Sequence, residues 1–522
     1  MGNNNHAMSR QVNGINGPKG SEIPIIASAL VKDKNLKDLD LKSEQGIEFF
    51  RKALDEFKAC GFDGFIAGIN NVSDNLSDTL EIILKEANNR GLFVIFGSDV
   101  FRQPSQDLLN SWEKEWESVT ANQGKSSILD KCNFFKSKFD SRISDFISEC
   151  TQSYPNSFGG VTLDDEPTYS ALRRKYISTN GLQLSSFDNE DGLYYCLSNR
   201  YNIVKNFLPD NAIVLVNLVG DQNWEHLDNN SYLYYLNLFS NIMNVSSEYP
   251  YLWCYDYYPI ISYNYLLYKN FYIIKEGKKD NGCPLDEPDL SRNGIITVLY
   301  ENFYDDLWLF NYKTNNKNSV FWTFIQSMEY MAASNLHPLA KESFLRFMVF
   351  SSLAMGCQGV IYWTYHQRDN ENLELYLSAL LDRDGERTPT WYYAKKINGE
   401  IKKYSDVFRN SEFKGYGHVG EIYKDCNLLS TPLGIVENIE VSGKGVLVTQ
   451  LDNGSKEYII IVSHDIINFQ NITIKFSIVN RLIKIMTVQE LTSDVKFFIT
   501  ESQSQKQFSL NPGGYLIFSY SL

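Results

Sequence analysis

The chain has 522 residues, far more than the ~150 of an average domain, so one large domain with a smaller companion is the first expectation. Hydrophobic residues at 43% and charged residues at 21% exclude a disordered acidic chain, and no apolar run reaches the ~18 residues that cross a bilayer. A formal net charge of −14 argues against a nucleic-acid partner and leaves a neutral or cationic ligand as the easier fit.

Residues 1–20, MGNNNHAMSRQVNGINGPKG, form a flexible leader rich in Asn and Gly, with no apolar stretch of a signal peptide. The leader is read as a tether left after an export signal is removed. That predicts a periplasmic, cell-surface or extracellular protein, with a cytoplasmic tail as the alternative. The eight cysteines, Cys60, Cys132, Cys150, Cys196, Cys254, Cys283, Cys357 and Cys426, show neither paired nor metal-ligand spacing and read as reduced, buried thiols.

From Pro24 onward, short β-rich runs alternate with longer amphipathic segments. The runs are PIIASAL from Pro24, FDGFIAGI from Phe62, LFVIFGSDV from Leu92, FGGVTLDDEP from Phe158, AIVLVNLVGD from Ala212, YLWCYDYYP from Tyr251, SVFWTFIQS from Ser319 and GVIYWTYHQ from Gly359. Eight such runs with helical patterns between them predict a (β/α)8 barrel over residues 21–410. Long connections after the third, fourth and sixth strands, including the tyrosine-rich segment from Ile260 to Asn293, are expected to wall a cleft. DGERTPTWYYAKKINGEIKKYSDVF closes the barrel as a final helix. Residues 411–522 then carry short alternating runs separated by Gly, Asn, Asp and Ser, the pattern of an antiparallel β-sandwich of seven or eight strands.

Barrel chemistry comes from the C-terminal ends of strands, and the fourth run ends in Asp164, Asp165 and Glu166. Period-2 alternation puts Thr162, Asp164 and Glu166 on one side of the strand, so Asp164 and Glu166 are expected to point towards the barrel mouth. Two close carboxylates raise the pKa of one of them, and a proton-holding acid is what glycosidic bond cleavage requires, so Glu166 is the candidate acid/base. Asp164 and Asp256 join it as candidate catalytic carboxylates. Asp99, Asp165, Asn217, Tyr255, Tyr257, Gln326, Trp363, Tyr365 and His366 are the candidate substrate-binding residues at the other strand ends. Carboxylates and amides pair with hydroxyls, and rings cover C–H faces, so the composition points to an oligosaccharide or polysaccharide. No His-Glu-x-x-His, P-loop, dinucleotide or Gly-x-Ser-x-Gly pattern occurs, and neither metal nor cofactor is expected.

Asp165-Glu166-Pro167, GVIYWTY, DRDGERTPTWYYAKKINGEI and the terminal LNPGGYLIFSY resemble barrel glycoside hydrolases of clan A, broadly the family 42 β-galactosidases, over nearly the whole chain. The resemblance implies an acid/base at Glu166, in an Asn-Glu pair whose Asn position is Asp165 here. The clan's nucleophile, a Glu ending the seventh strand, corresponds to Gln326, with Glu329 three residues on. GGVTLDDE is also similar to the fourth strand of family 18 chitinases and endo-β-N-acetylglucosaminidases. That likeness implies Asp164 and Glu166 as the acidic pair, Tyr255 and Asp256 as the sixth-strand pair, and Trp363 on the eighth strand. The substrate's own acetamido group would then act as nucleophile, although Thr162 replaces an acid of that motif. A carbohydrate-binding barrel without turnover is the third reading, motivated by Gln326.

Overall fold

The computed structural model describes residues 22–28, 30, 41, 43–69, 76–98, 106–121, 128–165, 204, 206–209, 212–220, 236, 251–263, 295–314, 319–332, 335–368, 374–409, 411–420, 422–430, 432–478, 485–500 and 504–521. Eight parallel strands close a barrel: β1 (Ile25–Ser28), β2 (Gly64–Ile69), β3 (Phe93–Ser98), β4 (Phe158–Asp165), β5 (Ile213–Val219), β6 (Tyr251–Asp256), β9 (Ser319–Gln326) and β12 (Val360–Trp363). Each lies within one of the eight runs read from the sequence. By compactness the chain divides into two units, one of residues 26–256 and the other of residues 22–25 with 257–521.

In the first unit, helices α1 (Glu44–Ala59), α2 (Leu76–Asn88), α3 (Gln106–Thr120) and α4 (Ile128–Ser153) alternate with β1 to β4. Helix α1 shows why. The Ser43 hydroxyl caps it by accepting from the Gly46 amide at 3.0 Å, and Phe50, Leu54 and Phe57 recur on one buried face. Burying each of these side chains is worth roughly 1.5–3 kcal/mol. Phe57 meets Phe65 of β2 edge-on, which marks the outward face of that strand. At the start of β4, Gly160 has φ +133°, and a Cβ there would lie 2.0 Å from the Ile213 carbonyl oxygen. Only glycine lets β4 and β5 approach so closely.

The second unit holds β9, β12, helices α5 (Tyr300–Thr314), α6 (Glu342–Ala354), α7 (Pro389–Lys403) and α8 (Ser405–Arg409), and two further layers. Helix α6 is buried from Phe344 to Ala354 and packs against β9, α7 and the C-terminal strands Val446–Asp452 and Glu457–Ser463, with Arg346 as its buried charge.

The first layer is a five-stranded side sheet in the order β13 (Glu374–Ser378), β10 (Glu329–Ala332), β11 (Asn335–His337), β7 (Ile260–Tyr263) and β8 (Ile295–Val298). The connection after β6 therefore begins and ends in paired strands, with Ile260 opposite Val298 and Tyr263 opposite Ile295.

The second layer is a β-sandwich of nine described strands, one or two more than the sequence pattern predicts. Six form one sheet: β14 (Glu412–Val419), β16 (Val446–Asp452), β17 (Glu457–Ser463), β22 (Tyr515–Tyr520), β19 (Ile485–Glu490) and β20 (Val495–Thr500). Three form the other: β15 (Val436–Val441), β18 (Gln470–Phe476) and β21 (Gln505–Leu510). Val448, Ile461, Ile474, Val488 and Phe518 lie in the core between them.

No described helix is long and apolar enough to cross a membrane. Cys60, Cys150, Cys254, Cys357 and Cys426 are unbridged and buried, and burial pushes the Cys357 thiol up to about 12.

Candidate active site

Which residues face the barrel interior follows from strand register, because partners on neighbouring parallel strands share a face. Phe65 points outward to α1, so Ile66 and Gly68 belong to the interior face. Pairing carries that phase from Gly68 to Gly97, from Gly97 to Thr162, and from Thr162 to Leu215. The crowding agrees, since a Cβ on Gly97 would stand 3.1 Å from Thr162 Oγ1 and 3.6 Å from Ile66 Cγ2.

Beyond Thr162 the register of β4 slips. Asp164 stands opposite Val216 and Asp165 opposite Asn217, leaving Leu163 without a partner on β5. Such an extra residue inverts the alternation downstream. The backbone of Asp165, and not that of Asp164, is therefore the register partner of Asn217. The regular pairing of β4 with β5 is interrupted at this point, and Glu166 lies outside the described residues.

The interior phase continues from Asn217 to Cys254 and on to Asp256, whereas Tyr255 pairs with Leu218 on the opposite phase. Asn217 is buried, Asp256 is half-buried, and Tyr255 is fully buried. In the first unit Asn217 and Asp256 thus share one phase on adjacent strands, and the Asp165 backbone pairs with Asn217. Asp99 and Glu166 lie outside the described residues.

In the second unit, Phe321 of β9 packs toward Phe310 of α5, and Tyr362 of β12 donates to Asn398 Oδ1 of α7 at 2.9 Å. Both face the helices, so Phe324, Gln326, Ile361 and Trp363 take the interior phase, with Gln326 and Trp363 as register partners. Below them, Trp322 lies beneath Gly359, where a Cβ would meet its ring at 2.5 Å. Gln326 is buried. Its Nε2 donates to the Pro338 carbonyl at 3.4 Å, and its Oε1 has no partner among the described residues. Glu329 opens β10 of the side sheet and does not lie at the end of β9.

Trp363 is half-buried, with Phe324 edge-on at 6.3 Å, and the peptide between Trp363 and Thr364 is cis. Tyr257 is buried. Tyr365 is fully buried and its hydroxyl accepts from Trp391 Nε1 at 3.2 Å, so it holds α7 to the segment after β12. His366 is buried with Nδ1 3.0 Å from the Gln367 carbonyl. Both side chains thus have partners within the second unit.

Sequence reasoning passed over a ring cluster on the side sheet. Tyr330 stacks on His337 at 4.3 Å, Tyr258 meets both edge-on, and Tyr330 approaches Tyr376 at 6.3 Å. Burial pushes His337 down to about 4 against a backbone hydrogen bond with Ile260, so it is neutral at neutral pH. Arg368 is buried with its guanidinium 4.9 Å from the Trp363 ring and 4.7 Å from the Tyr376 ring. The aromatic content of EYMA and ELYLS was the available signal, but runs so short do not announce a sheet. Among the described residues no group of His, Cys, Asp and Glu could hold a metal ion.

No family model and no curated protein matches this sequence. Solved structures do. A catalytic mutant of Gan42B, a GH42 β-galactosidase from G. stearothermophilus, superposes with TM-score 0.56 at 9% identity, over 97% of this chain and 99% of that one. The β-galactosidase from Bacillus circulans sp. alkalophilus gives 0.53 at 9% identity, over 96% and 99%. Unmutated Gan42B gives 0.51 at 7% identity, over 97% and 99%. At such identities the likeness shows the fold alone: a (β/α)8 barrel followed by an antiparallel β-domain.

Proposed function

We propose that this chain is a glycoside hydrolase with Glu166 as general acid/base. The observation that supports the reading is the register of β5 and β6, which sets Asn217 and Asp256 in one phase, next to the end of β4 where the Asp165 backbone pairs with Asn217 and Glu166 follows in the sequence. A carboxylate-and-amide rim at the C-terminal end of a barrel suits a polyhydroxylated, uncharged substrate. Gln326 and Trp363 supply a buried amide and a half-buried ring from β9 and β12. The fold neighbours are β-galactosidases, which directs the first trial to β-linked hexosides in oligosaccharides or polysaccharides.

Tyr255 pairs with Leu218, on the phase opposite to Asn217, which weighs against the substrate-assisted reading, since that motif needs Tyr255 at the interior. A non-catalytic sugar-binding barrel is the remaining competitor, since β9 ends in Gln326 where the clan has its nucleophile.

Aryl glycosides and defined glycans should be hydrolysed, with the product anomer read by NMR. Glu166→Gln should lower kcat by roughly 10²–10⁴-fold while ligand binding persists. Hydrolysis that survives Glu166→Gln sinks the acid assignment. Binding without turnover in either form establishes the binding-only barrel, and activity confined to N-acetylated sugars revives substrate assistance.

A further inference from the structure

Trp363 ends β12 in the interior phase and keeps part of its surface open. A ring column backs it. The buried Arg368 guanidinium lies between the rings of Trp363 and Tyr376, Tyr376 is followed by Tyr330, and Tyr330 by His337 stacked within 5° of parallel. Tyr330 and Tyr376 are register partners on β10 and β13, so their spacing is set by backbone hydrogen bonds. The residue before the arginine is pinned twice: the Gln367 amide donates to the Leu381 carbonyl at 3.0 Å and Gln367 Nε2 to the Tyr376 carbonyl at 2.8 Å. A planar, weakly hydrated cation suits the space between two ring faces far better than a compact ammonium does.

We propose that Arg368 is a positioning residue that fixes the plane of the Trp363 indole as a sugar-stacking platform, with the side sheet as its support. The inference rests on the glycoside hydrolase reading and adds to it the part played by the side sheet in substrate binding. A stacking ring is useful only while its plane is held, because a ring that must be ordered on binding loses affinity to that ordering. Arg368 and Tyr376 order it beforehand. The effect belongs to binding, so it should appear in KM and leave the chemical step alone.

The test uses the full chain and the p-nitrophenyl glycoside that it hydrolyses fastest among the galactoside, glucoside and N-acetylglucosaminide. Arg368→Met should raise KM roughly ten-fold with kcat within about two-fold, and Arg368→Lys should recover part of the loss. In a Trp363→Ala background, Arg368→Met should change KM no further. An unchanged KM in Arg368→Met, or effects of the two substitutions that multiply, overturns the positioning role. Should Arg368→Met fail to fold, Arg368→Lys alone decides: a KM equal to that of the parent overturns the role. Absence of turnover of all three glycosides by the parent chain overturns the hydrolase reading itself, and this inference with it.

Discussion

Two glycines with left-handed backbone separate conformation from space. Gly160 has φ +133° and its missing Cβ would lie 2.0 Å from a backbone oxygen, whereas Gly91 has φ +59° and nothing within 4 Å. Gly160→Ala should cost on the order of 3 kcal/mol or more, because the strand pair β4–β5 cannot part without breaking its register. Gly91→Ala should cost about 1 kcal/mol, the backbone penalty alone. Urea denaturation of the two variants measures the difference, and equal midpoints would mean that β4 and β5 yield. The same stretch limited what the sequence could disclose. The acidic cluster at Asp164, Asp165 and Glu166 was legible, but the slip at Leu163 was not, because an extra leucine in TLDD looks no different from a regular strand residue. One slipped residue moves the backbone pairing of Asp164 and Asp165 by one position along β5.

At the scale of elements, the eight barrel strands were legible because each is a continuous apolar run bounded by polar residues or glycine. The side sheet was not. Its strands are three to five residues long, and β10 finds its partner β13 more than forty residues along the chain, so local composition carries no trace of the pairing. The union of α6, α7 and the sandwich was equally hidden, although it rests on an identifiable group. Arg346 of α6 bonds Glu400 of α7 through Nε at 3.1 Å and Nη2 at 2.9 Å, and bonds Glu342 at 2.7 Å. Lys396 also reaches Glu342, and the Tyr515 hydroxyl of β22 donates to Glu400 at 3.3 Å. Removing the guanidinium leaves two partly buried carboxylates facing each other with one exposed lysine between them. Arg346→Leu should therefore destabilise the second unit by about 2 kcal/mol, discounted from the fully buried case because Glu342 and Glu400 keep some solvent. Arg346→Lys should rescue little, since an ammonium cannot reproduce the fork. Hydrogen exchange in α6 and α7 reads the loss, and unchanged protection there would show that packing alone holds these helices.

Across the whole chain, the response to acid is governed by histidines that the sequence presented only as unclustered residues. In the second unit, His418 Nδ1 lies 3.2 Å from His464 Nε2, and His464 Nδ1 lies 3.2 Å from the Tyr304 hydroxyl, which also meets Ser351. Tyr300, Tyr416 and Tyr423 crowd the pair, and Tyr300 donates to the His464 carbonyl at 2.6 Å. Burial holds His418 down to about 4 and His464 well below its ordinary value, and His337 on the side sheet is likewise at about 4. These groups are neutral when folded and free to charge when unfolded, so the unfolded chain binds more protons between the ordinary histidine value near 6.5 and the folded value near 4. Their stabilising contribution is complete above that window and is lost as pH falls through it, by roughly 1.5 kcal/mol for each of His337 and His418 between pH 6.5 and 5, with His464 acting in the same direction. Carboxylates held low by partners, among them Asp55, Glu86 and Glu342, act in the same direction but only below about pH 4.5, so the higher interval isolates the histidines. Exchange protection of β16 and β17 amides should fall from pH 6.5 to 5 after correction for intrinsic exchange rates. In His464→Gln, which keeps a polar side chain but cannot titrate, the fall should be shallower by about one proton's worth. Protection that does not change over this interval in the parent chain would show that the buried pair already carries a charge.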